Sequence, residues 1–86
     1  MNRSDLRALA AERAGNRCEF PGCTLPGPLE MAHLSASGMG GSPSRDVLGN
    51  VAMLCKSHHD WLDCRITPNM RRFENEQALR HLLGRF

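Results

Sequence analysis

The stretch LCKSHHDWLD, residues 54–63, decides how the chain is read. Leu54 closes a short apolar run that begins at Val51 and suits a buried strand. From Lys56 to about Asp63 the pattern turns helical and carries His58, His59, Trp61 and Leu62. Two residues separate Cys55 from His58, a gap that matches tight zinc knuckles. On a helix His59 projects about 100° away from His58, which leaves it free for different chemistry. Asp63 follows His59 by four positions, so both lie on one helical face. Such a pair is a workable site for a second divalent metal. The plainer reading of Asp63 is a solvated carboxylate paired with Arg65 or another nearby arginine.

Upstream lies a second pair of the same kind. Cys18-Glu19-Phe20-Pro21-Gly22-Cys23 is a compact turn, with Pro-Gly as its signal. Each pair can close a chelate ring on one tetrahedral ion, and sulfur with imidazole nitrogen suits Zn²⁺. One ion would then tie together both ends of the segment between the pairs, and its binding energy would be folding energy. Phe20 would shield it. Alternatives stand beside this set. Cys64 replaces His58 if the two cysteines bracket one short helix, or His59 replaces His58. The four cysteines could also be reduced core residues or two disulfides, but paired spacing with adjacent histidines favours zinc.

Composition explains why a staple is needed. The chain has 86 residues, enough for one small domain, and only 5% are aromatic. A core that thin calls for a disulfide, a metal or a partner. A membrane protein is excluded, since no apolar run approaches about 20 residues. The opening segment lacks an apolar signal region, which predicts a reducing cytosol, where cysteines serve metals more than disulfides. Ten of the eleven basic residues are arginine, the side chain that grips phosphate with a planar fork of donors. Arg65, Arg71, Arg72, Arg80 and Arg85 are candidates for a phosphate-facing surface. A GC-rich coding bias, or a solvated face partnered with Glu74 and Glu76, accounts for them equally.

The rest of the chain reads as a small α+β domain without repeats. A helix is expected over 4–14, capped by Ser4, apolar along Leu6, Leu9, Ala10 and Ala14, and stopped by Gly15. Residues 29–35 alternate as a strand, with Leu29, Met31 and His33 on one face and Glu30, Ala32 and Leu34 on the other. Residues 36–46 form a loop whose Gly38-Met39-Gly40-Gly41 amides can approach a phosphate. Asp46 is expected to cap a turn over Val47 and Leu48, and Asn50 precedes the second strand. After a basic connector at 65–72, a last helix is expected at about 75–83, with Ala78, Leu79, Leu82 and Leu83 as its apolar stripe and Gly84 as its end.

Taken in order, Cys18, Cys23, His33, SGMGGS at 37–42, Asn50 and LCKSHHDWLD resemble the small zinc-stapled HNH endonucleases of phage and bacterial genomes. The likeness spans about residues 17–64. It implies a ββα-metal core, two antiparallel strands joined by a long loop and then a helix, within a single nuclease domain over 1–86. The resemblance makes His33 the general base that activates water against the scissile phosphate. Asn50 would orient His33 through its loop or help at the metal. His59 would hold one catalytic divalent ion, Mg²⁺, Mn²⁺, Ni²⁺ or Zn²⁺, with Asp63 as a further ligand. Cys18, Cys23, Cys55 and His58 would hold structural zinc, although family members more often have cysteine where His58 stands. Many members also carry Asp or His directly before the general base, where this chain has Ala32. Glu30, facing away from His33, is a support only. The implied partner is DNA in a bacterial or host cytoplasm, with a terminase partner if the role is phage packaging. The rival readings are a zinc-stapled nucleic-acid-binding module without catalysis and a protein-interaction zinc knuckle.

Overall fold

Two five-residue strands carry the fold, β1 at Leu29–His33 and β2 at Val51–Cys55, paired antiparallel with His33 opposite Val51 and Leu29 opposite Cys55. The structure is a computed structural model and describes residues 2–25, 27–35, 45–66, 69 and 71–85. Helix α1, Arg3–Ala14, precedes the sheet, and a 3-10 turn at Leu48–Asn50 leads into β2. Helix α2, Lys56–Leu62, follows β2 directly, and α3, Arg72–Leu83, closes the chain. The molecule is a small α+β domain. The glycine-rich stretch at 38–41 and Pro68 lie outside the described residues.

Strand periodicity sends alternate side chains to opposite faces, so the sheet becomes a middle layer. Ala32, Leu34, Ala52 and Leu54 pack with Leu62 of α2, Leu79 of α3, Cys18 and Cys55. Val51 and Met53 pack against Leu6 and Ala10 of α1, backed by Leu29 and Met31. All five residues of β2 are buried, as expected for a strand covered on both faces.

Several expected boundaries shift for local reasons. Asn2, not Ser4, caps α1, because its side chain accepts from the Asp5 N–H at 2.8 Å. Leu9 is exposed, and Leu6, Ala10 and Ala14 carry the contact instead. Strand β1 ends at His33 rather than 35. Leu34 N–H still donates to the Asn50 carbonyl at 2.8 Å, but the Ser35 carbonyl is taken by the Asn50 side chain at 2.7 Å. Helix α3 begins three residues before the expected 75, and an Arg72–Glu76 pair spans its first turn. Its buried residues are Asn75 and Leu79, while Leu82 is exposed. Asn75 replaces an apolar residue there because its amide donates to the Trp61 carbonyl at 2.8 Å, finishing α2.

The three helices terminate alike. At each, one residue adopts a left-handed backbone and the next N–H reaches back five positions, as Asn16 to Ala11, Arg65 to Asp60 and Arg85 to Arg80. The left-handed residues are Gly15 (φ 63°), Gly84 (φ 71°) and Cys64 (φ 60°). Cys64 carries a side chain into that conformation, as does Asn16 (φ 57°), which follows Gly15.

Both sheet edges carry hydrogen-bonding partners. Along β2, Glu19 N–H donates to the Met53 carbonyl at 2.8 Å, and Glu19 Oε2 accepts from Met53 N–H at 2.7 Å. Arg13 grips the same carboxylate through two bonds of 2.9 and 2.8 Å, and Arg85 adds a third at 3.0 Å. Along β1, Arg7 and Arg72 donate to the carbonyls of Leu29 and His33. No helix among the described residues is long and apolar enough to cross a membrane.

Candidate metal centre and adjoining cleft

Cys55 ends β2 and stands at the N-cap of α2, so His58 follows one turn later on the same side. The turn at residues 18–23 is pinned to β2 by Glu19 and brings Cys18 and Cys23 to the same point. The four donor atoms lie within 4.8 Å of one another. Cys23 and Cys55 sulfurs are 3.9 Å apart, and His58 Nδ1 is 3.2 Å from Cys55 Sγ and 3.5 Å from Cys18 Sγ. A tetrahedral zinc with ordinary bond lengths has sulfur–sulfur edges of about 3.8 Å and sulfur–nitrogen edges of about 3.5 Å. The donor set therefore fits a metal ion and is consistent with structural zinc. A disulfide needs sulfurs about 2.05 Å apart, and all four cysteines are free.

Neighbours fix the ligands. Phe20 stacks on the His58 ring at 4.0 Å with a 3° interplanar angle and meets Trp61 edge-on at 5.5 Å. This holds the imidazole with Nδ1 toward the sulfurs. Burial pushes the Cys18 thiol up to about 11, so a bound cation is what would make it a thiolate at neutral pH. Burial also lowers the His58 pKa, favouring the neutral imidazole that ligates.

The rival ligands fall elsewhere. Cys64 is at the far end of α2, about 10 Å of helix from Cys55, with its sulfur 3.5 Å from Asn75 Nδ2. His59 turns away from the sulfurs, with Nδ1 2.8 Å from Glu30 Oε1 and Nε2 3.3 Å from Asp63 Oδ2. Glu30 does lie on the opposite strand face from His33, and that is the face α2 covers. Among the described residues, Cys18, Cys23, Cys55 and His58 are the one group of three or more donors within reach of a single ion.

His33 and His59 line one open cleft of about 520 Å³ beside β1, together with Met31, Asp63, Glu76 and the arginines Arg3, Arg45 and Arg72. His33 Nε2 is 2.7 Å from Asp46 Oδ1, and the other Asp46 oxygen is 3.4 Å from Arg3 Nε. Asp46 is therefore not the cap of the following turn, whose N-terminal residue is Val47 with no side-chain cap. Asn50 is fully buried, and its amide donates to the carbonyls of Ser35 and Arg45 at 2.7 and 2.9 Å. It ties Ser35 to Arg45. Asp63 accepts from Arg72 Nε at 2.9 Å and pairs with Arg65 at 3.3 Å.

The arginines divide between edges of the sheet. Arg72 faces the cleft, whereas Arg85 lies half-buried against Glu19 and the Val51 carbonyl on the β2 edge. Arg3 and Arg45, which no motif singled out, join Arg72 at the cleft. Sequence reasoning also missed Glu19, Asp46 as a partner of His33, and Asn75. No local pattern marks these residues, since each partner is distant in the chain. Comparison of the chain with protein-family models, with curated proteins and with solved structures finds no match.

Proposed function

We propose that the protein is a metal-dependent endonuclease of the HNH type, hydrolysing phosphodiester bonds of DNA. One observation carries the reading. His33 and His59, separated by 25 intervening residues, line the same cleft of a strand–loop–strand–helix unit whose base the Cys₃His group ties together. His33 acts as the general base toward water. His59 Nε2 and Asp63 Oδ2, 3.3 Å apart, resemble the roughly 3 Å ligand edge of an octahedral divalent ion. An ion held there would polarise the phosphate and stabilise the leaving 3′ oxygen. Arg3, Arg45 and Arg72 supply the positive rim for the DNA backbone, and Asn50 holds Ser35 and Arg45 in register. Ala32 is packed in the core at 1% exposure, so the remaining ligands would be water and phosphate oxygen. A bacterial or host cytoplasm, and a terminase partner in phage packaging, belong to the same reading.

Plasmid DNA incubated with the zinc-loaded protein and Mg²⁺, Mn²⁺ or Ni²⁺ tests it. Nicked circles are expected with at least one ion, and His33→Ala should slow nicking about 10²- to 10⁴-fold. His59→Ala should do the same while zinc content stays at one per chain. Intact plasmid in every metal would overturn the proposal. A second reading, a nucleic-acid-binding module without catalysis, is favoured by Ala32 and by the carboxylates on both nitrogens of His59. Its mark is salt-dependent DNA binding with no cleavage.

A further inference from the structure

We propose that Asp46 is the positioning residue of the general base, taking the His33 Nε2–H and leaving Nδ1 to receive the proton from water. This rests on the nuclease reading and goes beyond it, because the motif residues do not include Asp46.

The geometry is direct. Asp46 Oδ1 stands 2.7 Å from His33 Nε2. An ionised carboxylate only accepts, so a bond at that distance puts a hydrogen on Nε2. The carboxylate is held below its usual range, first by that bond and then by Arg3. Nδ1 has no hydrogen-bond partner among the described residues, and the ring lines the cleft. Both halves of the pair are anchored through the main chain. Arg72 Nη2 donates to the His33 carbonyl at 2.7 Å, and Asn50 Nδ2 holds the carbonyl of Arg45, the residue before Asp46, at 2.9 Å.

The consequence is a division of labour within one ring. An O–H bond of water breaks, and the proton forms an N–H bond at Nδ1. The remaining hydroxide oxygen bonds phosphorus as the bond to the 3′ oxygen breaks, and that oxygen keeps the electron pair and takes a proton from solvent water. Nε2 keeps its hydrogen throughout, and the new imidazolium charge faces Asp46. Such a carboxylate both selects the tautomer and stabilises the charge. In a buried Ser-His-Asp triad its loss lowers kcat about 10⁴-fold. Asp46 keeps 32% of its side-chain surface exposed, so screening reduces the expected effect to about 10²-fold.

The test uses the full zinc-loaded chain with Asp46→Asn, Asp46→Ala and Asp46→Glu. Nitrogen-15 NMR of the imidazoles should show His33 as the Nε2–H tautomer in the parent and a tautomer mixture in Asp46→Ala. In plasmid nicking, Asp46→Asn and Asp46→Ala should lower kcat about 10²-fold with KM within about twofold, and Asp46→Glu should recover most of the loss. The Asn variant is isosteric and guards against a folding defect, with zinc content as the check. An Nδ1–H tautomer in the parent overturns the proposal. So does unchanged nicking by Asp46→Asn and Asp46→Ala when His33→Ala abolishes it. If no metal supports nicking, the nuclease reading falls, whereas the tautomer measurement still decides the pairing.

Discussion

The Cys₃His group and the cleft beside β1 share helix α2 and differ in almost everything else. In the first, four donors within 4.8 Å converge on one point behind a stacked Phe20. In the second, His33 and His59 each rest on a carboxylate, at 2.7 and 2.8 Å, beside an open space of about 520 Å³. Adjacent residues of one helix, His58 and His59, serve the two regions because a helix turns about 100° per residue. The first arrangement is complete without anything from outside except an ion. The second is organised around room for something else.

The largest test of that contrast is removal of the ion that the Cys₃His group is suited to hold. Structural zinc sites contribute on the order of 10–16 kcal/mol in apparent binding energy, as much as a small domain's whole stability. A strong chelator should abolish the cooperative melt seen by circular dichroism, and Cys55→Ser should reproduce this. A protein that melts normally without metal would break the comparison.

Next in size is Glu19, whose side chain is 9% exposed and holds Arg13, Arg85 and the Met53 N–H. Glu19→Ala strands the half-buried Arg85 and opens the β2 edge. The expected loss is about 3 kcal/mol, measured by urea denaturation of the zinc-loaded protein. An unchanged midpoint would show that the turn is held by its metal alone.

Glu30→Gln probes the cleft side. If His59 holds an ion as proposed, the Glu30 carboxylate on its far nitrogen fixes its tautomer, and loss of such a partner weakens metal binding about 10- to 100-fold. Calorimetric titration with Mn²⁺ should show that weakening at the cleft while the zinc stays bound and the urea midpoint moves little. Equal Mn²⁺ affinity in both proteins would separate Glu30 from the site.

The smallest expected effect is at Cys64. Its φ of 60° favours glycine, and Cys64→Gly should stabilise by about 1 kcal/mol, less the contact with Asn75. Zinc stoichiometry should stay at one. A lost zinc would return Cys64 to the ligand set.

What was legible in the sequence was short-range. Cys18 with Cys23, and Cys55 with His58, are chelating pairs because the chain between them is too short to separate them. The same holds for the alternation of β1 and for the glycine ends of α1 and α3. The choice of His58 over Cys64 needed the length of α2. The start of α3 at Arg72 and its buried Asn75 depended on where α2 ends, which no local periodicity records.

The amino-acid sequence by itself therefore determined the ligand chemistry, the strand–loop–strand–helix order and the candidates His33, Asn50 and His59. Only the tertiary structure decided which side chains these meet. It set Glu30 on His59, Asp46 on His33 and Glu19 along β2. The physical reason is range: ring closure over a few residues is dictated by covalent geometry. A hydrogen bond across 13 to 34 residues exists only once the sheet and its two helical layers have packed.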